Sequence, residues 1–434
     1  MNQYVSPQEL DIDLSEELQA AATAADAEQL NSLLEQLPLS EALRELLDLS
    51  PEDRRVVLTL VSPEMAADLV EEAPHEMAAD LMEDLETTRA VEIMDEMDSD
   101  VQADLIGNMD NEEAEAILSQ MDAEDAADVR RLAEYAADTA GGLMMSEVFE
   151  CQSTMTVSDV IKVLAKDDDD VDRYRGQHPY IVDEDGKLVG VVSLRGLLST
   201  RRSALLTTIM VQPMTVSVDT ALADLEDIFN DNGFLGIPVV DDLGQLVGVV
   251  SRDAVAQAVL ERVESENLKL QGVVGDELRS MPTWLRSRRR LAWLSANIVL
   301  NMIAASVISA YEETLLAVIA IAIFLPMVSD MSGCSGNQAV GVTMRELSLG
   351  LVRPKDVFKV WLKEISVGVI NGIALGILIG IVAWIWKGNP ALGLVIGAAL
   401  CLNTMLAVSI GGVVPLLLKR IGQDPAVASG PLLT

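Results

Sequence analysis

The spacing of apolar residues divides the chain into three parts. Between residues 62 and 132 apolar positions recur every twelve residues, and between 143 and 260 short apolar runs flank Asp/Gly turns. Beyond residue 290, apolar stretches of about twenty residues follow one another, which is the length that crosses a bilayer. These patterns are typical of stacked short helices, α/β modules and membrane spans. The chain is therefore predicted to be a multidomain protein.

The first pattern consists of consecutive blocks such as SPEMAADLVEEA (62–73) and PHEMAADLMEDL (74–85). Twelve residues hold one short helix and a turn, and such a unit must stack on its neighbours to bury its apolar face, so a superhelix is predicted. The recurring methionines are interpreted as core. Acids recur at the seventh position, where a solvated face is favoured over a divalent-cation surface: Asp68, Asp80, Glu92 and Asp104.

The second pattern is a tandem repeat in which residues 178–193 match residues 236–251. Each copy predicts strand, turn, strand and helix, preceded by an amphipathic helix at 157–165 or 221–230. The pair resembles tandem CBS modules, a family that often binds adenine nucleotides or ions. Its usual acid lies one residue early here, at Asp253, and Gly196 follows the first copy where an acid is often found. ATP binding therefore stays an open alternative.

The third pattern predicts a long connecting helix over 253–278 and four spans, at 291–310, 314–341, 365–386 and 392–418. Basic clusters lie at the same end of each span, so the positive-inside rule places the N-terminal half in the cytoplasm. The scattered cysteines fit a reducing compartment. His75 and His178 lack zinc-ligand spacing and are interpreted as ordinary surface or turn residues.

A polar stretch, residues 326–339, interrupts the second span. Asp330, Asn337 and Gln338 lie at membrane depth, where polar groups are expensive and mark a functional site. Pro326, Gly333 and Gly336 are predicted to loosen the helix and free backbone carbonyls. A hydrophilic path through the membrane is favoured, and a polar seam that holds helices together is the alternative.

Charge narrows the choice of partner. The net charge is −39, with the acids concentrated before residue 280 and a slightly basic C-terminal third. Such acidity argues against nucleic acid, whose phosphates need cations opposite them, and favours cations. The acidic run at 167–170 is predicted to be a solvated loop or one wall of a cation-responsive gap. No nucleophile–base pair or phosphate-binding glycine loop is found, so an enzyme is not predicted.

The domain order, the motif Gly333…Gly336-Asn337-Gln338 and the motif Gln423-Asp424-Pro425-Ala426 together resemble the MgtE family of magnesium channels. The resemblance implies a superhelical α-helical N domain (1–140), an α/β tandem CBS domain (141–252), a connecting plug helix (253–280) and an all-α transmembrane bundle (281–434). It also implies a homodimer in the bacterial inner membrane, with the N-terminal domains cytoplasmic and a pore on the two-fold axis.

The resemblance assigns roles to particular positions. The pore-lining positions that match are Asp330, Gly333, Asn337 and Gly341. The implied Mg²⁺ sensor acids, with the ion both substrate and regulator, are Asp219, Asp231, Asp253, Glu261, Glu264 and Glu266. The family's fifth span carries a further pore aspartate, and the sequence ends before that position. A membrane-tethered divalent-cation sensor or scaffold that does not conduct is therefore the alternative function.

Overall fold

The computed structural model describes residues 14–165, 178–273, 283–348 and 350–422, together with Glu277, Met281 and Pro425. The chain forms two compact units, Met1–Glu261 and Arg262–Thr434. The acidic run at 167–170 and positions 423, 424 and 426 of the second family motif lie outside the described residues.

The N-terminal part of the first unit is a stack of short helices. Alternate helices pack on one another, α3 on α5, α5 on α7 and α6 on α8, which confirms the predicted superhelix. Serine side chains cap two helix starts of the stack: Ser50 accepts a hydrogen bond from the Asp53 backbone amide and Ser62 one from the Met65 amide, each at 3.2 Å. The helices are α1 (Leu14–Ala24), α2 (Ala27–Leu34), α3 (Leu39–Asp48), α4 (Pro51–Leu60), α5 (Pro63–Glu71), α6 (His75–Glu83), α7 (Thr87–Met94), α8 (Ser99–Asn108), α9 (Asn111–Leu118) and α10 (Ala123–Ala133).

The repeat pattern maps onto the core of this stack. Every apolar residue at the eighth position is buried, and Leu69 and Ile93 expose none of their surface. Met82, Met94 and Met97 are among the most completely buried side chains, which confirms the methionines as core. Of the acids at the seventh position, Asp68, Asp80 and Glu92 are exposed and Asp104 is half-buried. Asp104 therefore has an environment that its repeat position did not predict.

The tandem repeat forms two equivalent modules. β2 pairs parallel with β3 and β3 antiparallel with β4, just as β5 pairs with β6 and β6 with β7. β1 precedes the first module in the chain but pairs antiparallel with β7, so the second module has a four-stranded sheet in the order β1-β7-β6-β5 and the first module has a separate three-stranded sheet, β2-β3-β4. The elements are β1 (Met144–Met145), β2 (Glu150–Gln152), α11 (Val157–Leu164), β3 (Tyr180–Val182), β4 (Leu188–Val191), α12 (Leu194–Ser199), β5 (Val216–Ser217), α13 (Leu222–Asp231), β6 (Gly236–Val240) and β7 (Leu246–Ser251).

The connecting helix α14 (Arg252–Leu270) ends eight residues earlier than the sequence pattern predicted. Gly272 adopts a left-handed conformation at φ +78°, and the Val273 amide donates to the Leu268 carbonyl at 3.0 Å. This is the usual way in which a glycine closes a helix C-terminus, and it stops the helix before residue 278. The prediction of helix up to residue 278 is therefore wrong.

The second unit contains α15 (Thr283–Ala310), α16 (Glu312–Ala317), α17 (Leu325–Ser348), α18 (Val357–Lys387) and α19 (Pro390–Arg420). Within the described residues, α15, α18 and α19 are long and apolar enough to cross a membrane. α18 and α19 pack closely along glycines. A Cβ on Gly372 would lie 2.8 Å from the Cys401 carbonyl oxygen, so only glycine permits this approach of the two backbones.

The predicted helix interruption at 326–339 is wrong, because α17 runs unbroken through Gly333 and Gly336. The irregular backbone lies before it, at Val318 and in a 3-10 helix at Ile319–Ile323. Gly333 and Gly336 are buried. A Cβ on Gly411 of α19 would overlap the Gly336 carbonyl oxygen. These small residues allow close packing of α17 and α19 and do not break the helix.

Candidate cation-binding sites

An acidic cavity lies inside the first unit, where α6, α8 and the first half of α14 meet. It has a volume of about 110 Å³, enough for several water molecules. Polar and charged groups from four helices line it, and the rest of the wall includes alanines and Gly142. These polar lining residues are Glu71, His75, Asp100, Asp104, Gln257 and Glu261.

One contact ties the N-terminal stack to the connecting helix across this cavity. His75 Nε2 lies 3.3 Å from Glu261 Oε2, and Gln257 Nε2 donates to Glu261 Oε1 at 3.0 Å. These two partners, His75 first, hold the pKa of Glu261 below its usual range. His75 was predicted to be an ordinary surface residue, and the structure places it at this junction instead.

The two aspartates of α8 are electrostatically unfavourable in their charged form. Burial, followed by the nearby charge of Asp98, raises the pKa of Asp100 to about 7. Burial also raises the pKa of Asp104 to about 6; His75 opposes this shift and Glu261 adds to it. Burial thus disfavours the ionised form of both carboxyls, and a bound cation would favour it.

The start of α8 is also fixed to the CBS pair. Glu147 accepts hydrogen bonds from the Ser99 backbone amide at 3.2 Å and from the Ser99 hydroxyl at 2.7 Å. The Ser146 amide donates to the Ser99 hydroxyl at 2.8 Å. The acids of α8 are therefore positioned by the tandem modules as well as by their own stack.

Of the sensor acids inferred from the resemblance, the structure brings only Glu261 into this cavity. Asp219, Asp231 and Glu264 are exposed. Asp253 lines a separate cleft between the two modules, and Glu266 lies beyond the cavity on α14. No group of three His, Cys, Asp or Glu side chains among the described residues is placed to hold a metal ion.

Sequence reasoning missed Asp100 and His75 and assigned Asp104 to a solvated face. A signal was present, because Asp100 and Asp104 are four residues apart and share one face of α8. The repeat does not indicate which block contacts the tandem modules, because all blocks have the same pattern. Only the packing of α8 beside β1 and α14 distinguishes this pair of acids.

A second candidate site is one face of α17. Asp330, Cys334, Asn337 and Gly341 follow one another at intervals of three or four residues and are all exposed, with Gln338 beside them. They form a continuous polar stripe along the helix. Gly333, predicted to line a pore, lies on the buried face with Gly336.

The opposite face of α17 packs on α19 through small and polar groups. Asn403 Nδ2 donates to the Val328 carbonyl at 2.9 Å, and the Thr343 hydroxyl donates to the Gly412 carbonyl at 3.2 Å. Thr343 is fully buried. The two hypotheses for this stretch thus apply to different faces: one face holds helices together, and the other presents oxygen groups outward.

A third feature is a cleft of about 310 Å³ where the two tandem modules meet, lined by Tyr180 of the first module and by Phe234, Ser251 and Asp253 of the second, among others. Arg252 also lines it, but its guanidinium donates to the carbonyls of Phe229 and Asn232, each at 2.6 Å. It also lies 5.2 Å from the centre of the Phe229 ring. Arg252 therefore has a structural role at the edge of the cleft.

Comparison with known families assigns each part of the chain. The family described as the MgtE intracellular N domain matches residues 37–138, and CBS domains match residues 140–202 and 206–261. The family described as divalent cation transporter matches residues 325–434. These matches confirm a helical N domain, a CBS pair and a helical C-terminal segment.

Similar proteins include the magnesium transporter MgtE of Thermus thermophilus, which is 35% identical over 316 residues, covering 71% of this chain and 68% of that protein. The magnesium transporter MgtE of Bacillus subtilis is 31% identical over 309 residues, covering 70% and 68%.

A crystal structure of the cytosolic domain of the Mg²⁺ channel MgtE with ATP is 31% identical, with a TM-score of 0.51, and covers 56% of this chain and 99% of that one. The soluble part of a magnesium transporter, 24% identical with a TM-score of 0.51, shares the fold and covers 58% and 98%. The sequence identity, the matched domains and the shared cytosolic fold lead to one conclusion: this chain belongs to the MgtE family of magnesium transporters.

Proposed function

We propose that this chain is a Mg²⁺-selective channel or transporter for magnesium uptake across the bacterial inner membrane, and that intracellular Mg²⁺ closes it. The proposal that Mg²⁺ closes the channel rests on the acidic cavity, which Asp100 and Asp104 of the stack and Glu261 of the connecting helix line together. The similar magnesium transporters support the choice of ion.

The gating argument rests on charge. Without a cation, burial disfavours the charged forms of Asp100 and Asp104 and raises the pKa of both, and the charge of Glu261 adds to the shift at Asp104. A hydrated Mg²⁺ would neutralise them and hold α14 against the stack. α14 continues beyond Glu261 into the second unit, which contains the membrane helices. A change in the position of α14 would therefore act on those helices through the chain itself. Closure by Mg²⁺ therefore provides feedback on uptake.

The conduction path that we propose runs along the polar stripe of α17. Asp330, Asn337 and Gly341 supply carboxylate, amide and backbone oxygens, and such groups suit an ion that passes with water still bound. A homodimer with the N-terminal domains in the cytoplasm would place a second stripe opposite the first. Exposed polar groups at membrane depth require such a partner or water, because lipid cannot satisfy them.

We propose that the Mg²⁺ sensor consists of three acids that line the cavity: Asp100, Asp104 and Glu261. The exposed acids Asp219, Asp231, Asp253 and Glu264 stay predictions. They are placed to meet an ion only if another element or a second subunit covers them. The cleft between the two CBS modules is the proposed place for an adenine nucleotide, and the ATP complex of the similar cytosolic domain supports it.

Limited proteolysis of the full chain in chelator and across millimolar Mg²⁺ tests the gate. We expect Mg²⁺ to protect the first unit. Asp104→Asn should shift the half-protecting concentration upward by roughly fivefold to tenfold, the effect of about 1 kcal/mol or slightly more per lost charge contact. Asp68→Asn is the matched control, because Asp68 has the same repeat position but is exposed. Equal shifts in both variants, or protection that Mg²⁺ does not change, would contradict the gating proposal.

A further inference from the structure

One side chain of α19 reaches across to the first turn of α17. Asn403 Nδ2 donates a hydrogen bond to the backbone carbonyl of Val328 at 2.9 Å. Asp330, the carboxylate of the polar stripe, follows Val328 by two residues. We propose that Asn403 is a positioning residue, which fixes the start of α17 on α19 and so sets where Asp330 lies in the path of the ion. This inference rests on the proposed function, in which the ion passes along the stripe of α17.

The start of α17 needs such an anchor, because the backbone before it is irregular. Val318 has φ −135° and ψ 65°, and a 3-10 helix follows at Ile319–Ile323. Phe324, which is 1% exposed, packs edge-on against Trp386 of α18, with the ring centres 5.8 Å apart. Asn403 adds a directional contact from α19. The first turn of α17 is thus held by neighbouring helices and not by a preceding α-helix.

The depth of the contact makes it costly to lose. Asn403 lies near the middle of α19, which is long and apolar enough to cross a membrane. Lipid offers no hydrogen-bond partner at that depth, so an amide there is stable only against protein or water. Val328 and Asp330 lie at nearly the same depth, because the helix rises about 1.5 Å per residue. The hydrogen bond therefore holds the height of Asp330 in the membrane.

The same contact acts on the end of the stripe that carries the charge. Val328 is half-buried, and at about 100° per residue the exposed Asp330 lies about 200° further around α17. The other end of α17 is held on α19 separately, where Thr343 donates to the Gly412 carbonyl at 3.2 Å. Loss of the Asn403 contact would therefore let the start of α17 tilt and displace Asp330, while the far end stays in place.

Protection of Cys334 by Mg²⁺ tests the proposal in the purified full chain and does not require conduction. Cys334 is exposed on the stripe one turn after Asp330, so an ion near Asp330 should slow its reaction with a cationic methanethiosulfonate reagent. Peptide mass spectrometry measures that reaction at Cys334 alone. We expect Asn403→Leu, similar in size but without the donor, to raise the half-protecting Mg²⁺ concentration about fivefold, as for one lost hydrogen bond. Asn403→Gln keeps an amide donor and should restore much of the protection.

Thr343→Val is the matched control, because it removes another hydrogen bond between α17 and α19, far from Asp330. It should lower the melting temperature in detergent, as Asn403→Leu does, and leave the half-protecting concentration unchanged. In the Asp330→Asn chain, Asn403→Leu should have no further effect, since the group that it positions is absent.

Two outcomes would overturn the inference alone. One is an equal shift of the half-protecting concentration by Asn403→Leu and Thr343→Val, and the other is a full effect of Asn403→Leu in the Asp330→Asn chain. Either would reduce Asn403 to a packing role. Absence of Mg²⁺ protection in the unsubstituted chain, or protection that Asp330→Asn does not weaken, would contradict the proposed path of the ion and the inference with it.

Discussion

The cytosolic cavity and the polar stripe of α17 contain similar chemical groups in opposite settings. In the cavity, carboxylates from separate helices are gathered into about 110 Å³, and burial raises the pKa of Asp100 to about 7. On α17, one carboxylate and two amides, Asp330, Asn337 and Gln338, lie along an exposed surface. Under the proposed function, the cavity with its excess negative charge would retain a cation, whereas the exposed row of neutral oxygens with one charge would let it pass.

The two settings also depend on different packing. The cavity exists because α6, α8 and α14 meet, and it depends on contacts such as the one between His75 and Glu261. The stripe is presented by the other face of α17, which is held on α19 by Gly336, Gly411 and Thr343. Changes at the cavity should therefore alter ion retention, and changes behind the stripe should alter the fold that presents it.

The largest expected effect distinguishes the buried face of α17, which packs on α19, from its exposed polar face. Gly411→Leu would force a side chain against the Gly336 carbonyl, with a loss of stability on the order of 3 kcal/mol and a large fall in the melting temperature in detergent. Gly341→Leu is the matched control, because a Cβ there meets no atom within 4 Å. It should leave the melting temperature unchanged and reduce Mg²⁺ flux. A similar melting temperature for both variants would contradict the two-faced description.

The next effect concerns the stripe itself. Asp330→Asn removes its only carboxylate, and we expect Mg²⁺ flux into proteoliposomes to fall roughly tenfold, equivalent to about 1.4 kcal/mol in the barrier. Glu313→Gln, an exposed acid before α17, should have no effect. If Asp330→Ala and Asn337→Ala both leave flux unchanged, the chain is better described as a divalent-cation sensor that does not conduct by this face.

The pH dependence of stability should distinguish the cavity from the stripe. The pKa values of Asp100 and Asp104 are raised to about 7 and about 6, so their protonated forms stabilise the folded first unit. That stability is present at low pH and lost as the pH rises through about 6 to 7. In chelator, the melting temperature of the first unit should fall between about pH 5 and pH 8. Millimolar Mg²⁺ should reduce this fall, and identical pH profiles with and without Mg²⁺ would contradict a cation site in the cavity.

The smallest expected effect is that of His75→Ala. The contact with Glu261 is long, at 3.3 Å, and both side chains are more than one third exposed, so its loss should cost under about 1 kcal/mol of stability. The pKa of Glu261 should rise, because His75 is the main cause of its lowered value. Chemical denaturation measures the first effect, and the pH dependence of Mg²⁺ protection measures the second. A loss of several kcal/mol would show that His75 has a larger role in the fold.

Much of the architecture was predictable because it rests on periodicity. The twelve-residue repeat identified the buried Leu69 and Ile93, and the matching runs around Gly186 and Gly244 identified both hairpins, whose glycines have positive φ as such turns require. The end of α14 and the unbroken course of α17 were not predicted correctly. Glycine can either end a helix or allow a neighbouring helix to pack closely, and the sequence does not show which. Gly272 ends a helix, whereas Gly336 lies inside one and allows α19 to pack against it.

The sequence by itself determined the three kinds of element, the burial of the repeat positions and the polar character of Asp330 and Asn337, since each follows from local spacing. The tertiary structure decided which acids meet. His75, the pair Asp100 and Asp104, and Glu261 lie in three distant parts of the sequence, and only the meeting of α6, α8 and α14 brings them together. It also decided which face of α17 is exposed, because a helix has polar residues on several sides and the packing of α19 and α18 covers one of them. Charge becomes specific to a site only where burial removes the water that would otherwise screen it.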